Sequence, residues 1–172
     1  MYHYDNIPYK SEKGINVIVE IPQHSQDKYE IDEEFGVVKL DRALYSAQVY
    51  PANYGFVPQT LAEDGDHMDV LVYTSHPLIP GAWVEVRPIG YMEMIDGGDA
   101  DHKIIGVPVT DPRFDHITKL EDLGPHKIKE VRNFFENIKV LQNKKVEVGE
   151  FKDATVAWTE LEKNHEAYKN KK

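Results

Sequence analysis

The most concentrated group of ionisable residues is the segment Asp64-Gly-Asp66-His-Met-Asp69. Carboxylates held this close together raise one another's pKa, and a hard divalent cation such as Mg²⁺ or Mn²⁺ removes the repulsion by taking oxygen ligands. A solvated acidic turn is the alternative interpretation of such a motif. An EF-hand calcium loop is disfavoured because its sixth position would be Asp69 instead of glycine and its twelfth would be Ser75 instead of glutamate.

A second acidic segment, Asp96-Gly-Gly-Asp99-Ala-Asp101-His-Lys103, lies further along the chain. By itself it is typical of a hairpin loop, because the two glycines favour a tight turn. Two acidic segments at strand ends together favour a shared metal site. Paired metal ions about 3.5–4 Å apart are the usual apparatus for in-line attack at phosphorus.

Basic residues that could hold phosphate oxygens are scattered beside acidic ones, and they are Lys28, Arg42, Lys103 and Lys139. The first three could equally form surface ion pairs with neighbouring acids. Lys139 falls at the edge of the apolar stripe of a predicted helix, so its side chain either snorkels to solvent or points into a cleft. The segment 50–55 predicts a tight turn bracketed by Tyr50 and Tyr54. Their hydroxyls could donate to phosphate, or their rings could simply pack.

Composition excludes several functional classes. The chain of 172 residues has no cysteine, which excludes disulfides, thiol catalysis and cysteine-ligated metals and fits a reducing cytoplasm. Its net charge of −10 argues against non-specific nucleic-acid binding and against a polybasic membrane patch. No apolar run approaches the ~18 residues of a membrane span, and residues 1–14 carry no apolar signal core. Signatures of zinc hydrolases, serine hydrolases and nucleotide-binding loops are also missing from the sequence.

Apolar periodicity predicts seven strands, at residues 15–21, 28–31, 37–40, 69–73, 83–94, 104–109 and 146–151. Glu20 lies on the face of the first strand opposite its apolar residues. Helical spacing predicts one helix from Pro125 and a second after Asp153, which is a good N-cap. Many short strands with two late helices predict an α+β fold, a small β-barrel with helices packed on the outside, forming a single domain over residues 1–172.

Eight ordered motifs resemble those of the family I soluble inorganic pyrophosphatases of the short prokaryotic type. The resemblance extends from about residue 15 to residue 168. The motifs are VIVEIP (17–22), KYEID (28–32), LDR (40–42), YPANYGFVP (50–58), DGDHMD (64–69), RPIG (87–90), DGGDADHK (96–103) and FFENIK (134–139).

This resemblance implies a five-stranded, OB-like barrel with its site at the barrel mouth, in a cytoplasmic homohexamer. It also implies hydrolysis of pyrophosphate, bound as its Mg²⁺ complex, through direct in-line attack by a metal-activated water without a covalent intermediate. The implied core metal ligands are Asp64, Asp69 and Asp101. Asp96 and Glu30 would contact further Mg²⁺. Asp66 would be the general base. The implied substrate-binding and site-lining residues are Lys28, Arg42, Lys103, Lys139, Tyr50, Tyr54 and Glu20.

The chain departs from the family pattern at two positions. His67 stands where proline or glutamate is usual, and loss of a loop proline weakens preorganisation by about 0.4–1 kcal/mol. Ile138 stands where the family has a phosphate-binding tyrosine, which leaves Lys139 alone at that point.

Alternative functions remain open on the sequence alone. They are an OB-fold oligonucleotide-binding module, a Mg²⁺-dependent phosphatase of organic diphosphates and a structural Ca²⁺-binding protein. The first would require basic and aromatic residues on the strand faces.

Overall fold

The structure, a computed structural model, describes residues 4–32 and 34–171. Its strands are β1 Ile15–Ile21, β2 Asp27–Asp32, β3 Val37–Ala43, β4 Asn53–Val57, β5 Met68–Val72, β6 Trp83–Asp96, β7 Asp99–Ala100, β8 Lys103–Pro108 and β9 Val146–Asp153. Helix α1 spans Pro125–Asn137, and helix α2 spans Ala154–Lys171. Each predicted strand and both predicted helices are confirmed within a few residues at their ends.

Five strands close into a ring. β1 pairs with β4, β4 with β5, β5 with β8, β8 with β6, and β6 returns to β1. The β5–β8 pair is parallel and the other four pairs are antiparallel. β7 and β9 extend the sheet from β6 outside the ring. The predicted α+β fold, a small OB-like five-stranded barrel with helices outside, is confirmed.

The core follows from the two-residue period of the barrel strands, whose successive side chains point to opposite faces. On β5, Val70 and Val72 join a cluster that packs against Ala157 and Leu161 of α2. Leu71, between them, joins the cluster that contains the apolar face of α1. Each helix therefore covers one set of alternating apolar residues.

The sequence prediction missed strand β4. The chain bends at residues 51 and 52, between Tyr50 and Tyr54, but Tyr54 and Gly55 already lie in this buried strand. A Cβ at Gly55 would lie 2.0 Å from the Ile18 carbonyl oxygen, so only glycine lets β1 and β4 approach this closely. The turn-forming residues at 51–53 predict no strand here, and β4 forms because it pairs with the distant strands β1 and β5.

The β2–β3 hairpin is a separate two-stranded sheet attached to the barrel. Its Ile31 packs in a cluster with Ile18, Phe56 and Tyr4. The Ile31 N–H also donates to Glu20 Oε1 of β1 at 2.8 Å. The hairpin is thus attached to the barrel, and the charged face of β2, which contains Lys28 and Glu30, lies beside it. In the described part of the chain, no helix is long and apolar enough to span a membrane.

Candidate active site

A cavity of about 380 Å³ lies between the β2–β3 hairpin and the acidic turn that precedes β5. Six of the residues that the sequence singled out line it: Glu20, Lys28, Glu30, Tyr54, Asp66 and Asp69. Most of its walls are therefore polar or charged, as a binding site for an ionic ligand requires.

Lys103 joins the two acidic segments. Its side chain is only 1% exposed, and its Nζ donates to Asp69 Oδ2 at 2.6 Å and to Asp101 Oδ1. The parallel β5–β8 register sets Asp69 directly beside Lys103. Burial lowers the pKa of Lys103, but Asp69 and Asp101 outweigh it and hold that pKa above its usual value. Lys103 is thus a buried charge with two partners, not the surface ion pair that the sequence left open.

The turn before β5 presents Asp64 and Asp66. Gly65 between them has a φ of 96°, a conformation that glycine adopts readily. The Asp66 N–H donates to Asp64 Oδ1 at 3.1 Å. Burial raises the pKa of Asp64, and the negative charges of Asp101 and Asp66 raise it further. The carboxylates of the two acidic segments are therefore close enough to repel one another.

This donor set fits a hard divalent cation. Asp69 and Asp101 each use one carboxylate oxygen on Lys103, and Asp64 uses one on the Asp66 N–H, so the second oxygen of each takes part in none of these contacts. Carboxylate oxygens are the ligands that Mg²⁺ prefers. Within residues 4–32 and 34–171, no three acidic or histidine side chains are already arranged as a metal-binding group. Two of the three carboxylates, those of Asp69 and Asp101, are held by Lys103 instead.

The hairpin contributes cations. Lys28 Nζ lies 2.6 Å from Glu30 Oε1 and 3.6 Å from Asp41 Oδ2, and Asp41 also pairs with Arg42. Lys28 and Arg42 are cross-strand neighbours in the β2–β3 register. Arg42 Nε is buried without a hydrogen-bond partner among the described residues, and Arg42 is not among the residues that line the cavity.

Tyr54 lines the cavity, and Tyr50 packs beside it. Their rings meet edge to face at 5.7 Å, and Tyr50 also packs on Phe134 of α1 at 4.8 Å. Burial raises the pKa of both hydroxyls, so both remain protonated donors near neutral pH. Tyr54 donates to Asp69 Oδ2. The packing interpretation is confirmed for both rings, and Tyr54 also braces a carboxylate.

Glu20 lines the cavity, and its carboxyl group is mainly protonated at neutral pH. Burial raises its pKa to about 8, and Asp69 and Glu30 add to the effect, while the Ile31 N–H opposes it. A protonated Glu20 adds no further negative charge to a cavity that already contains several carboxylates.

Asp96 and Lys139 are not among the residues that line this cavity. They pair with each other in a neighbouring cleft of about 580 Å³, together with Lys144 and Lys145. Helix α1 ends at Asn137, so Lys139 follows the helix and does not lie on its stripe. The loop at Gly97 and Gly98 is the tight hairpin that the sequence offered as one alternative, with both glycines at positive φ.

Six other residues of the cavity wall were not predicted as site residues from the sequence, namely Tyr4, Ile31, Asp32, Lys39, Phe56 and His67. The period of two along β2 could have found Asp32, because it shares a face with Lys28 and Glu30. Lys39 required the register that pairs it with Glu30. Ile138 is 8% exposed and packs in the α1 cluster, so it is a core residue.

Comparisons with known proteins agree with one another. A model of the inorganic pyrophosphatase family matches residues 17–169. The inorganic pyrophosphatase of Geobacillus stearothermophilus is 53% identical over 137 residues, which cover 80% of this chain and 83% of that protein. The soluble inorganic pyrophosphatase of Zea mays is 47% identical over 153 residues, covering 89% and 72%. The crystal structure of inorganic pyrophosphatase from Thermus thermophilus has a TM-score of 0.93 at 39% identity, covering 98% of this chain and 99% of that one.

Proposed function

The chain belongs to the inorganic pyrophosphatase family, and we therefore propose that it hydrolyses inorganic pyrophosphate to two phosphates. The observation that carries the proposal is the gathering of carboxylates from two loops around buried Lys103, beside a cavity that Lys28 also lines. Such a site provides oxygen ligands for cations and positive charge for phosphate oxygens.

The metal in this proposal is Mg²⁺, held by Asp64, Asp69 and Asp101, with Asp96 and Glu30 contacting further ions. When bound, divalent cations neutralise phosphate charge and lower the pKa of water. The substrate is accordingly pyrophosphate bound as its Mg²⁺ complex, because an acidic protein with a net charge of −10 repels the free anion.

Asp66 is the proposed general base. Its side chain lines the cavity. Its backbone is held on both sides, because its N–H donates to Asp64 and its carbonyl accepts from the Ala62 N–H at 2.7 Å. It would accept the proton of the attacking water, which adds in line to one phosphorus without a covalent intermediate.

The proposed phosphate-binding cations are Lys28, Arg42, Lys103 and Lys139. Arg42 contributes the buried Nε that has no partner within the described residues. Lys28 would exchange its contact with Glu30 for a phosphate oxygen, because charge-assisted bonds to phosphate are strong. The Tyr54 hydroxyl keeps Asp69 oriented through a hydrogen bond, and the Tyr50 ring packs edge to face against the Tyr54 ring.

We also propose that residues 1–172 form one domain that assembles as a cytoplasmic homohexamer. Large apolar side chains that remain exposed in the single chain support assembly, including Phe35, Leu40, Ile79, Trp83 and Leu141. Sedimentation equilibrium should give about six times the mass of one chain. A single species of monomer mass would contradict this part of the proposal.

The alternative functions lack a supporting observation. An oligonucleotide would have to enter a cavity lined by Glu30, Asp32, Asp66 and Asp69. A nucleoside diphosphate would need a surface for its base, and the cavity walls are mainly charged.

The experiment is phosphate release from pyrophosphate by metal-free protein, with and without added Mg²⁺. We expect no release in EDTA and restored release with excess Mg²⁺, while Ca²⁺ inhibits because it is larger and accepts looser geometry. ADP serves as the organic control and should release little phosphate. Full activity in EDTA, or a preference for ADP, would overturn the proposal.

A further inference from the structure

The loop from Thr60 to His67 is closed at its neck. His67 Nδ1 lies 2.7 Å from the Thr60 carbonyl oxygen. Because a carbonyl only accepts, Nδ1 carries the proton and donates it. Thr60 is 1% exposed, and its Oγ1 donates to the Val57 carbonyl at 2.6 Å and accepts from the Met68 N–H at 2.9 Å. Both ends of the loop are therefore held together.

The imidazole ring of His67 is fixed from several directions. It stacks on Phe56 with a centroid distance of 5.0 Å and an interplanar angle of 12°. Tyr4 meets it edge-on at 5.8 Å, and Tyr168 of α2 lies 6.1 Å away. A side chain packed by an amino-terminal turn, a barrel strand and a helix has little freedom to change rotamer.

The loop that His67 closes carries Asp64 and Asp66, whose like charges favour opening it. Inside it, Ala62 N–H donates to the Asp66 carbonyl at 2.7 Å, and Gly65 N–H donates to the Ala62 carbonyl at 3.1 Å. These bonds fix Asp66 only while the ends of the loop stay together.

We propose that His67 is a positioning residue, which holds the Asp66 carboxylate in place by donating Nδ1–H to the Thr60 carbonyl. The role in catalysis rests on the proposed function, whereas the role in holding the loop does not. His67 is part of the cavity wall, but in this proposal it acts through a geometric restraint on Asp66.

Two substitutions separate the hydrogen bond from the ring packing. His67→Asn keeps an N–H donor near the Nδ1 position but loses the stack on Phe56, and His67→Phe keeps the stack but loses the donor. We expect His67→Phe to lower kcat about tenfold at saturating Mg²⁺, because misplacement of a catalytic group is costly. His67→Asn should stay within about threefold of wild type, although its loss of aromatic packing lowers its thermal midpoint more.

His165 provides matched controls. Its Nδ1 lies 2.8 Å from the Gln59 carbonyl oxygen and its ring stacks on Tyr9 at 3.7 Å, but it lies outside the loop. His165→Phe should lower thermal stability and leave kcat within about threefold of wild type. If kcat follows thermal stability across all of these variants, or if His67→Phe is fully active, the positioning role is overturned.

Hydrogen exchange on the metal-free protein gives a readout that is independent of activity. Backbone amides of residues 61–66 should exchange faster in His67→Phe than in wild type and His67→Asn, because the loop has lost one of the hydrogen bonds that close its neck and opens more often. Equal exchange in all three proteins would overturn the proposal. If wild type releases no phosphate, the proposed function fails, and the exchange rates still decide whether His67 holds the loop.

Discussion

Asp64 and Asp66 are separated by one glycine, yet their surroundings suit them to different tasks. Asp64 has a pKa raised by burial and by neighbouring carboxylates, which a bound cation would relieve. Asp66 lines the cavity. The proposed roles, metal ligand for Asp64 and general base for Asp66, therefore rest on position, since both side chains have the same chemistry.

Replacing Asp66 with asparagine removes the proposed base and keeps its size. We expect kcat to fall by about 10²–10⁴ at saturating Mg²⁺, with little change in thermal midpoint. Asp64→Asn is the matched control, and it should first raise the Mg²⁺ concentration needed for activity. Steady-state kinetics over a Mg²⁺ series measures both. Near-normal kcat for Asp66→Asn would remove it from the mechanism.

Ile138 tests whether a departure from the family pattern has a functional consequence. Since Ile138 is 8% exposed and packs with the apolar face of α1, a tyrosine there should overpack the core by about 1–3 kcal/mol. We expect Ile138→Tyr to lower the thermal midpoint and leave KM for Mg²⁺-pyrophosphate unchanged. Ile138→Val controls for the loss of the native side chain. A lower KM for Ile138→Tyr would instead show that a phosphate donor was missing.

At the scale of elements, a hydrogen bond to strand β1 attaches the β2–β3 hairpin to the barrel. The Ile31 N–H donates to Glu20 Oε1 of β1, and apolar packing around Ile31 completes the docking. Glu20 therefore couples the position of Lys28 and Glu30 to the barrel. Its protonation state should influence how firmly the hairpin is held.

Glu20 predicts a pH dependence of folding stability. The pKa of Glu20 is about 8 in the folded protein, against 4.5 for the ordinary group. The contribution of Glu20 to the free energy of unfolding is therefore complete below about pH 4.5 and is lost as the pH rises towards 8. Each unit of difference between the folded and unfolded pKa values corresponds to about 1.4 kcal/mol in the free energy of unfolding. Glu20→Gln stays neutral and keeps the acceptor for Ile31, so its stability relative to wild type should rise between pH 5 and pH 8.

Urea unfolding in EDTA at several pH values measures that difference without bound metal. Glu93→Gln is the control, because Glu93 is paired with Lys152 on the surface and its pKa is lowered, not raised. A stability difference between Glu20→Gln and wild type that does not vary with pH would contradict the burial of Glu20 as a neutral acid.

At the scale of the whole molecule, closure of the barrel assembles the site. Tyr54 comes from β4, Asp69 from β5 and Lys103 from β8, and these three strands are neighbours in the ring. Asp101 enters from the loop between β7 and β8. Carboxylates gathered this way store electrostatic repulsion in the folded state, which a cation would relieve.

Mg²⁺ should therefore stabilise the folded protein by mass action. At a hundredfold excess over its Kd, the gain is about 2.7 kcal/mol, or about 5–10 °C in thermal midpoint for a chain of this length. Differential scanning fluorimetry at low salt, with and without Mg²⁺, measures the shift, and Asp101→Asn should reduce it. A midpoint indifferent to Mg²⁺ would count against a cation site formed by folding.

The sequence by itself determined most of the helices and strands, because local patterns of residues indicate them. Alternating apolar residues predicted β1, and Asp153 predicted the start of α2, where its carboxylate indeed accepts from the Thr155 N–H at 2.8 Å. The acidic segments and their ordered neighbours also identified the family. These features depend on residues close together in the chain.

Only the tertiary structure decided which of those residues meet. The β5–β8 register made Lys103 the buried partner of Asp69 and Asp101, and long-range pairing made Tyr54 a strand residue. It also paired Asp96 with Lys139 in a second cleft. The physical reason is that strand register and burial depend on contacts between distant segments, which no local periodicity encodes.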